Sequence, residues 1–141
     1  MHHVHLSNFL SWLVIKNKSS HPVFKYPYLT KPILAHVKLL LAYNAINGYK
    51  IEIDTKLANN STITVFLKYE TEGIKPALRQ IKFFSRPGCY RYLTFKKILP
   101  LLQASPSTKS LFIFSTSLGV LTANECIKNR VGGLLLYYVA I

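Results

Sequence analysis

Leu6, Phe9, Leu10, Leu13 and Val14 recur at i, i+3, i+4, i+7 and i+8, while Ser7, Asn8, Ser11 and Lys16 fall outside that stripe. This is one face of an amphipathic helix, and the spacing predicts it over about His5–Asn17, stopped by the polar run Asn17–Ser20 and by His21-Pro22. Val23–Pro27 reads as a short strand. Thr30 is placed to cap a second helix. Pro32 falls in its first turn, where a missing amide costs little, and Ile33, Val37, Leu40 and Leu41 keep helical spacing to near Asn44. Asn47-Gly48 is expected to turn the chain. Ile51 and Ile53 then alternate with Glu52 and Asp54 as in a half-buried strand. Beyond a loop at Lys56–Ser61, Ile63, Val65, Leu67 and Tyr69 interleave with Thr62, Thr64, Phe66 and Lys68, predicting a strand antiparallel to the preceding one.

Glu72-Gly73 marks another turn, and Leu78–Phe84 is expected to add a third strand to this meander before Ser85-Arg86-Pro87-Gly88 breaks the pattern. Tyr90–Leu93 reads as a brief strand. Thr94 is placed to cap a short helix carrying Phe95, Ile98 and Leu99 into a core, and Gln103–Ser110 as a linker without periodicity. Leu111–Phe114 is a buried strand that gives way to the hydroxyl-rich turn Ser115-Thr116-Ser117-Leu118-Gly119. Thr122 with Glu125 three residues on has the spacing of a capping box, so a short helix follows. It stops near Val131-Gly132-Gly133, and a last apolar strand runs to Ile141.

The expected fold class is α/β in content, of the α+β kind, in two small domains. Residues 1–84 form a helix-strand-helix-strand-strand-strand unit, and residues 85–141 a mostly antiparallel β domain with short helices. At 141 residues, half of them hydrophobic, the chain can fold around its own cores without cross-links. Cys89 and Cys126 are isolated, so neither a disulfide framework nor a zinc site is implied.

Charge narrows the partners. Eighteen basic residues face five acidic ones, for a net charge of +13, and residues 1–51 and 73–124 contain no acid at all. Such a field selects a polyanion, either nucleic acid or an anionic membrane surface. The apolar runs at 111–114 and 134–141 fall far short of the roughly 20 residues that span a bilayer, so no transmembrane segment is expected. Ser115, Thr116 and Ser117 admit two readings. One is a polar strand end; the other is a rigid loop whose hydroxyls and amides bond to sugar hydroxyls, phosphates or base edges. Arg86, Arg91, Lys96, Lys97, Lys109, Lys128 and Arg130 are the candidate phosphate contacts. Each alone reads as a solvated charge, but together, with no acid between 73 and 124, they call for a polyanion. Arg86-Pro87-Gly88 is a tight turn that sets a cation beside bare backbone. Tyr90 and Tyr92 have the chemistry to stack on a base, although aromatic residues at period two on a short strand more often serve a core.

Ser115-Thr116-Ser117-x-Gly119-Val120-Leu121-Thr122, the Val131-Gly132-Gly133 turn and the closing Tyr138-Val139 resemble the C-terminal domain of the ribosomal small-subunit protein eight family. The likeness continues upstream in order: Leu6-Ser7-Asn8-Phe9-Leu10, Ile46-Asn47-Gly48-Tyr49, Leu67-Lys68-Tyr69, and Ser85-Arg86-Pro87-Gly88 followed by Arg91 and Tyr92. It implies a structural protein that binds the central domain of small-subunit rRNA during assembly, beside neighbouring small-subunit proteins, with no catalysis and no cofactor. It further implies RNA contact at Ser115, Thr116, Ser117, Gly119 and Thr122, and at the Arg86-Pro87-Gly88 turn.

Three departures stand out. Where the family closes its first helix with Arg-Ile-Arg-Asn, this chain has Leu13-Val14-Ile15-Lys16-Asn17, so one of the two cations that would face phosphate is missing, at Val14, and the other is Lys16. A glycine-rich approach to the hydroxyl strand is replaced by Ser105-Pro106-Ser107-Thr108. A family carboxylate after the paired glycines is Leu134, which accepts no hydrogen bond. This drift, the abundance of Phe, Tyr, Ile, Leu, Lys and Asn, and the lack of an Arg-rich presequence lead to the expectation of an organelle-encoded protein of the mitochondrial matrix. A plastid copy is the lesser reading, since plastid members tend to keep the bacterial motifs.

The alternatives are a peripheral protein of an anionic membrane and a free RNA-binding translational regulator. His2, His3 and His5 sit on an unanchored end, a poor metal site. A cysteine hydrolase would need a histidine near Cys89 or Cys126, and the five histidines lie upstream at 2, 3, 5, 21 and 36. No small-molecule substrate is expected.

Overall fold

The computed structural model describes residues 2–53, 61–70, 75–85, 88–104 and 110–141. In chain order its elements are α1 (His2–Lys18), β1 (Val23–Tyr26), α2 (Lys31–Ala42), β2 (Ile46–Ile53), β3 (Ser61–Leu67), β4 (Tyr69–Glu70), β5 (Lys75–Pro76), β6 (Gln80–Phe83), β7 (Tyr92–Leu93), α3 (Phe95–Ala104), β8 (Ser110–Thr116), β9 (Gly119–Thr122), α4 (Ala123–Asn129) and β10 (Gly133–Ala140). They form a mixed α+β fold with antiparallel sheets, as the patterns lead one to expect, in two compact units, Met1–Leu78 and Arg79–Ile141.

In the first unit the predicted stripe of α1 is the buried one: Leu6, Phe9, Leu10 and Leu13 are all closed to solvent. Asn17 ends the same stripe and is also buried, its side-chain amide donating to the Leu78 carbonyl. Phe9 packs against Phe24 and edge-on to Tyr26, so α1 covers one face of the three-stranded sheet β1-β3-β2. α2 starts as its sequence dictates, with Thr30 Oγ1 accepting from the Ile33 amide at 3.4 Å. Its end corrects the expected turn at Asn47-Gly48. Asn44 takes φ +59, and the amides of Asn44 and Ala45 reach back to the Leu41 and Leu40 carbonyls at 3.0 and 2.9 Å, a Schellman stop. Asn47 and Gly48 therefore lie within β2, at a bulge between Ile46 and Gly48. Ile51 and Ile53 are 39% and 70% exposed, because β2 is an edge strand that runs beyond the helical cover.

The second unit is built on β10, which lies between β6 and β8, with β9 outside β8 and β7 beside the start of β10. The strand expected to close the first unit is thus corrected. Gln80–Phe83 pairs with Tyr137–Ala140 in the C-terminal sheet. Phe112, Phe114 and Leu135 pack with Ile98 of α3 and with Ala123 and Cys126 of α4, and burying these six side chains stabilises this unit. Leu99, expected in that core, is 46% exposed. Ile98 takes the inward position, and Leu101 and Leu102 follow it at i+3 and i+4. α3 also runs through Pro100 to Ala104, into the expected linker. The expected turn at Glu72-Gly73 and all of the expected loop Lys56–Ser61 except Ser61 lie outside the described residues.

Candidate nucleic-acid interface

β8 is buried on both faces from Leu111 to Phe114, and only its last residues clear the core. Phe112 and Phe114 point inward, Ser115 is exposed, Thr116 half-buried, and a tight turn at Ser117-Leu118 returns the chain as β9, a strand the sequence reading missed. Gly119 has φ +110, a conformation that glycine takes without steric cost and that lets this short hairpin close. Thr116 is the pin of the loop: its hydroxyl donates to the Gly119 carbonyl at 2.8 Å and accepts from the Leu118 amide at 3.1 Å. Among the described residues, the hydroxyls of Ser115 and Ser117 make no hydrogen bond. The loop therefore holds two unengaged hydroxyls on a frame that Thr116 fixes. Thr122 is withdrawn from the surface at 1% exposure, and its hydroxyl accepts from the Glu125 amide to cap α4.

Paired glycines seat this hairpin against β10. A Cβ on Gly133 would stand 2.5 Å from the Ser115 carbonyl oxygen and 2.8 Å from Thr116 Cγ2; one on Gly132 would stand 2.5 Å from the Leu93 carbonyl oxygen. The backbone thus closes on β8 from one side and on the β7–α3 junction from the other. Leu134 follows, paired with Ser115 across one ladder and with Tyr92 across the other. Residues directly opposite in an antiparallel pair share a face, so Ser115, Leu134 and Tyr92 form one row, apolar at its centre.

Tyr90 and Tyr92, for which a core role was the commoner expectation, are 45% and 72% exposed, because β7 is a two-residue edge segment. Ser85 holds this segment in place. Its hydroxyl donates to the Leu135 carbonyl and accepts from the Arg91 amide at 3.2 Å, while the Leu135 amide donates to the Arg91 carbonyl at 2.9 Å. Arg91 is exposed and, like Lys82, lies over the Phe84 ring. Ser85, Gly132, Gly133, Leu134 and Tyr92 are the positions that complete the site. Ser85 and the glycines are signalled by the Ser-Arg-Pro-Gly and Gly-Gly runs, Tyr92 by its stacking chemistry and Leu134 by its departure from the family pattern.

The cations fall into separate places. Lys96 and Lys97 are exposed in the first turn of α3, where the helix dipole disfavours positive charge unless an anion lies near. Lys128 is exposed in the last turn of α4, and Arg130 caps that helix in the left-handed conformation at φ +55. Gly88 is exposed; Arg86, Pro87 and Lys109 lie outside the described residues. From 79 to 141 the only acid is Glu125, so this unit is cationic almost throughout. Burial and then Glu125 push the Cys126 thiol up, which keeps it protonated. Among the described residues no group of histidine, cysteine, aspartate and glutamate is placed to hold a metal ion, and no helix is long and apolar enough to cross a membrane.

Comparison with known proteins gives a consistent picture. The family model described as ribosomal protein S8 matches residues 5–140. The chain is 29% identical over 136 residues to the small ribosomal subunit protein uS8 of Christiangramia forsetii, covering 95% of this chain and 96% of the relative. It is 33% identical over 95 residues to uS8 of Persephonella marina, 67% of each chain. It is also similar to the small ribosomal subunit protein uS8c of Euglena gracilis, 29% identical over 114 residues, 78% of this chain and 79% of the relative.

Proposed function

This chain belongs to the ribosomal protein S8 family, and from that premise we propose that it is a constituent of the small ribosomal subunit that binds the central domain of small-subunit rRNA and supports subunit assembly and translation. The family is structural rather than enzymatic, and the reading needs no cofactor. The observation that carries it is the hairpin 115–119, where two unengaged hydroxyls stand on a frame fixed by Thr116 and by the close approach of Gly133. Such a frame suits the shallow minor groove of an irregular RNA helix, where 2′-hydroxyls and base edges are read by short polar groups. Exposed Tyr92 adds an aromatic face at the other end of the same row.

Bulk affinity comes from Arg86, Arg91, Lys96, Lys97, Lys109, Lys128 and Arg130 acting on phosphate, each neutralised phosphate steepening the salt dependence by roughly 0.7 to 0.9. With leucine at 134, the carboxylate that the family resemblance places there contributes nothing, and these cations carry more of the binding. Neighbouring small-subunit proteins are the protein partners. The proposed address is the mitochondrial ribosome, on the strength of the composition and the motif drift.

The test is binding to an isolated central-domain rRNA helix at several salt concentrations. Two neutral hydrogen bonds at about 1 kcal/mol each correspond to about a thirtyfold loss when Ser115 and Ser117 both become Ala. Unchanged affinity in the same buffer overturns the assignment.

A further inference from the structure

The first unit carries an apolar surface that its own fold leaves open. The buried stripe of α1 uses Leu6, Phe9, Leu10, Leu13 and Asn17. The opposite ridge, at Asn8, Trp12, Ile15 and Ser19, follows the same helical period and should be polar in an ordinary surface helix. Instead Trp12 is 40% and Ile15 59% exposed, and Tyr28, just after β1, is 53% exposed. Trp12 and Tyr28 are linked through Tyr26, and Ile15 lies one turn along α1 from Trp12. The Trp12 ring stands edge-on to Tyr26 at 5.3 Å, Tyr26 edge-on to Tyr28 at 6.2 Å, and His5 lies 5.1 Å from Tyr28. The rings are fixed before any partner arrives, so little conformational freedom remains to be lost on binding.

We propose that the Trp12–Ile15–Tyr28 surface is a docking site for an acidic protein partner, a segment presenting an apolar ridge bordered by aspartate and glutamate. Phosphate finds little on the ridge itself. The Ser11 and Ser19 hydroxyls turn back to the Ser7 and Ile15 carbonyls at 2.9 and 2.7 Å, and no cation stands between Asn8 and Ile15. Ile15 offers a branched aliphatic surface, which packs against another apolar side chain and gives a base nothing to stack on. The rim selects the charge of the partner. Lys16 is one turn from Trp12, Lys18 borders Ile15 and Lys31 follows Tyr28, while residues 1–51 contain no acid. Glu52 lies on the other face of the sheet, engaged with Lys25 at 2.9 Å. Tryptophan and tyrosine at the centre and charge at the edge are the usual anatomy of an interface hot spot.

Trp12 is the only tryptophan in the chain, so its emission reports on this surface alone. The full-length protein is titrated with an amphipathic helical peptide of about 18 residues, leucine on one face and glutamate on the other. Parallel titrations use the same peptide with lysine for glutamate, oligouridylate, and phosphatidylglycerol vesicles. The leucine–glutamate peptide is expected to shift Trp12 emission to shorter wavelength and to bind about tenfold more tightly than the lysine peptide. Ile15→Ser and Tyr28→Ser each weaken it about tenfold and leave rRNA-helix affinity unchanged. Equal binding of the two peptides, no binding of either, or a larger emission change with oligouridylate or vesicles overturns the proposal. None of those outcomes touches the hairpin reading, which stands or falls on Ser115 and Ser117.

Discussion

Gly133→Ala puts the close approach of β10 and β8 to a direct test. The added methyl would stand 2.5 Å from the Ser115 carbonyl oxygen and 2.8 Å from Thr116 Cγ2, where ordinary contact begins at 3.4 Å. Closing that gap, 3.4 less 2.5, requires β10 to retreat by about 0.9 Å against backbone that has no rotamer to yield. Overpacking of this kind costs about 1–3 kcal/mol. The same separation shifts Ser115 relative to its ladder partner Leu134, so hydroxyl contacts that depend on its position weaken, and the rRNA-helix affinity is expected to fall about tenfold. Urea unfolding followed by circular dichroism measures the first effect, and titration with the rRNA helix the second. Gly48→Ala is the control. A Cβ there meets nothing within 4 Å, so that variant should stay within about 0.5 kcal/mol of the parent. An unfolding midpoint for Gly133→Ala equal to the parent's, or a loss as large for Gly48→Ala, would refute the reasoning.

Two further predictions use other parts of the molecule. His36 is buried, and desolvation pushes its pKa down to about 4 from 6.5, so the unfolded chain takes up the proton first as pH falls. Stability is therefore full above about 6.5 and declines through the window down to about 4. That gap, 6.5 less about 4, corresponds to about 3 kcal/mol, which urea titrations at several pH values should reveal; a decline just as steep in His36→Leu would assign it elsewhere. Arg130 holds the left-handed position that ends α4, where glycine is relieved of about 1 kcal/mol of strain. Arg130→Gly should accordingly raise the thermal midpoint while reducing the salt slope of rRNA binding by about one; an unchanged slope removes Arg130 from the phosphate contacts.

Local pattern determined most of the elements. The stripe Leu6–Phe9–Leu10–Leu13, the caps at Thr30 and Thr122 and the apolar run Leu111–Phe114 each encode their state within a few residues, because helical period, capping geometry and strand burial are short-range properties. The family resemblance, carried by Ser115-Thr116-Ser117 and the paired glycines, was also legible, since these residues answer to backbone geometry as much as to a partner.

Tertiary structure decided what those elements meet. Gln80–Phe83 has the same alternation whether it extends the first sheet or joins β10, and only the pairing with Tyr137–Ala140 places it in the second unit. Asn44 rather than Asn47-Gly48 makes the turn, because a left-handed asparagine closes α2 so completely that β2 begins at once. Tyr92 and Trp12 look like core residues by composition. They are exposed because β7 lies at a sheet edge and because the buried side of α1 is already filled by its leucines and Phe9. Which of three serines and threonines offers its hydroxyl was equally hidden: Thr116 spends its own on Gly119 and Leu118, leaving Ser115 and Ser117 unengaged. Periodicity tells a side chain which face of its own element it occupies. Whether that face is covered depends on segments far away in the chain, and only the folded arrangement brings them together.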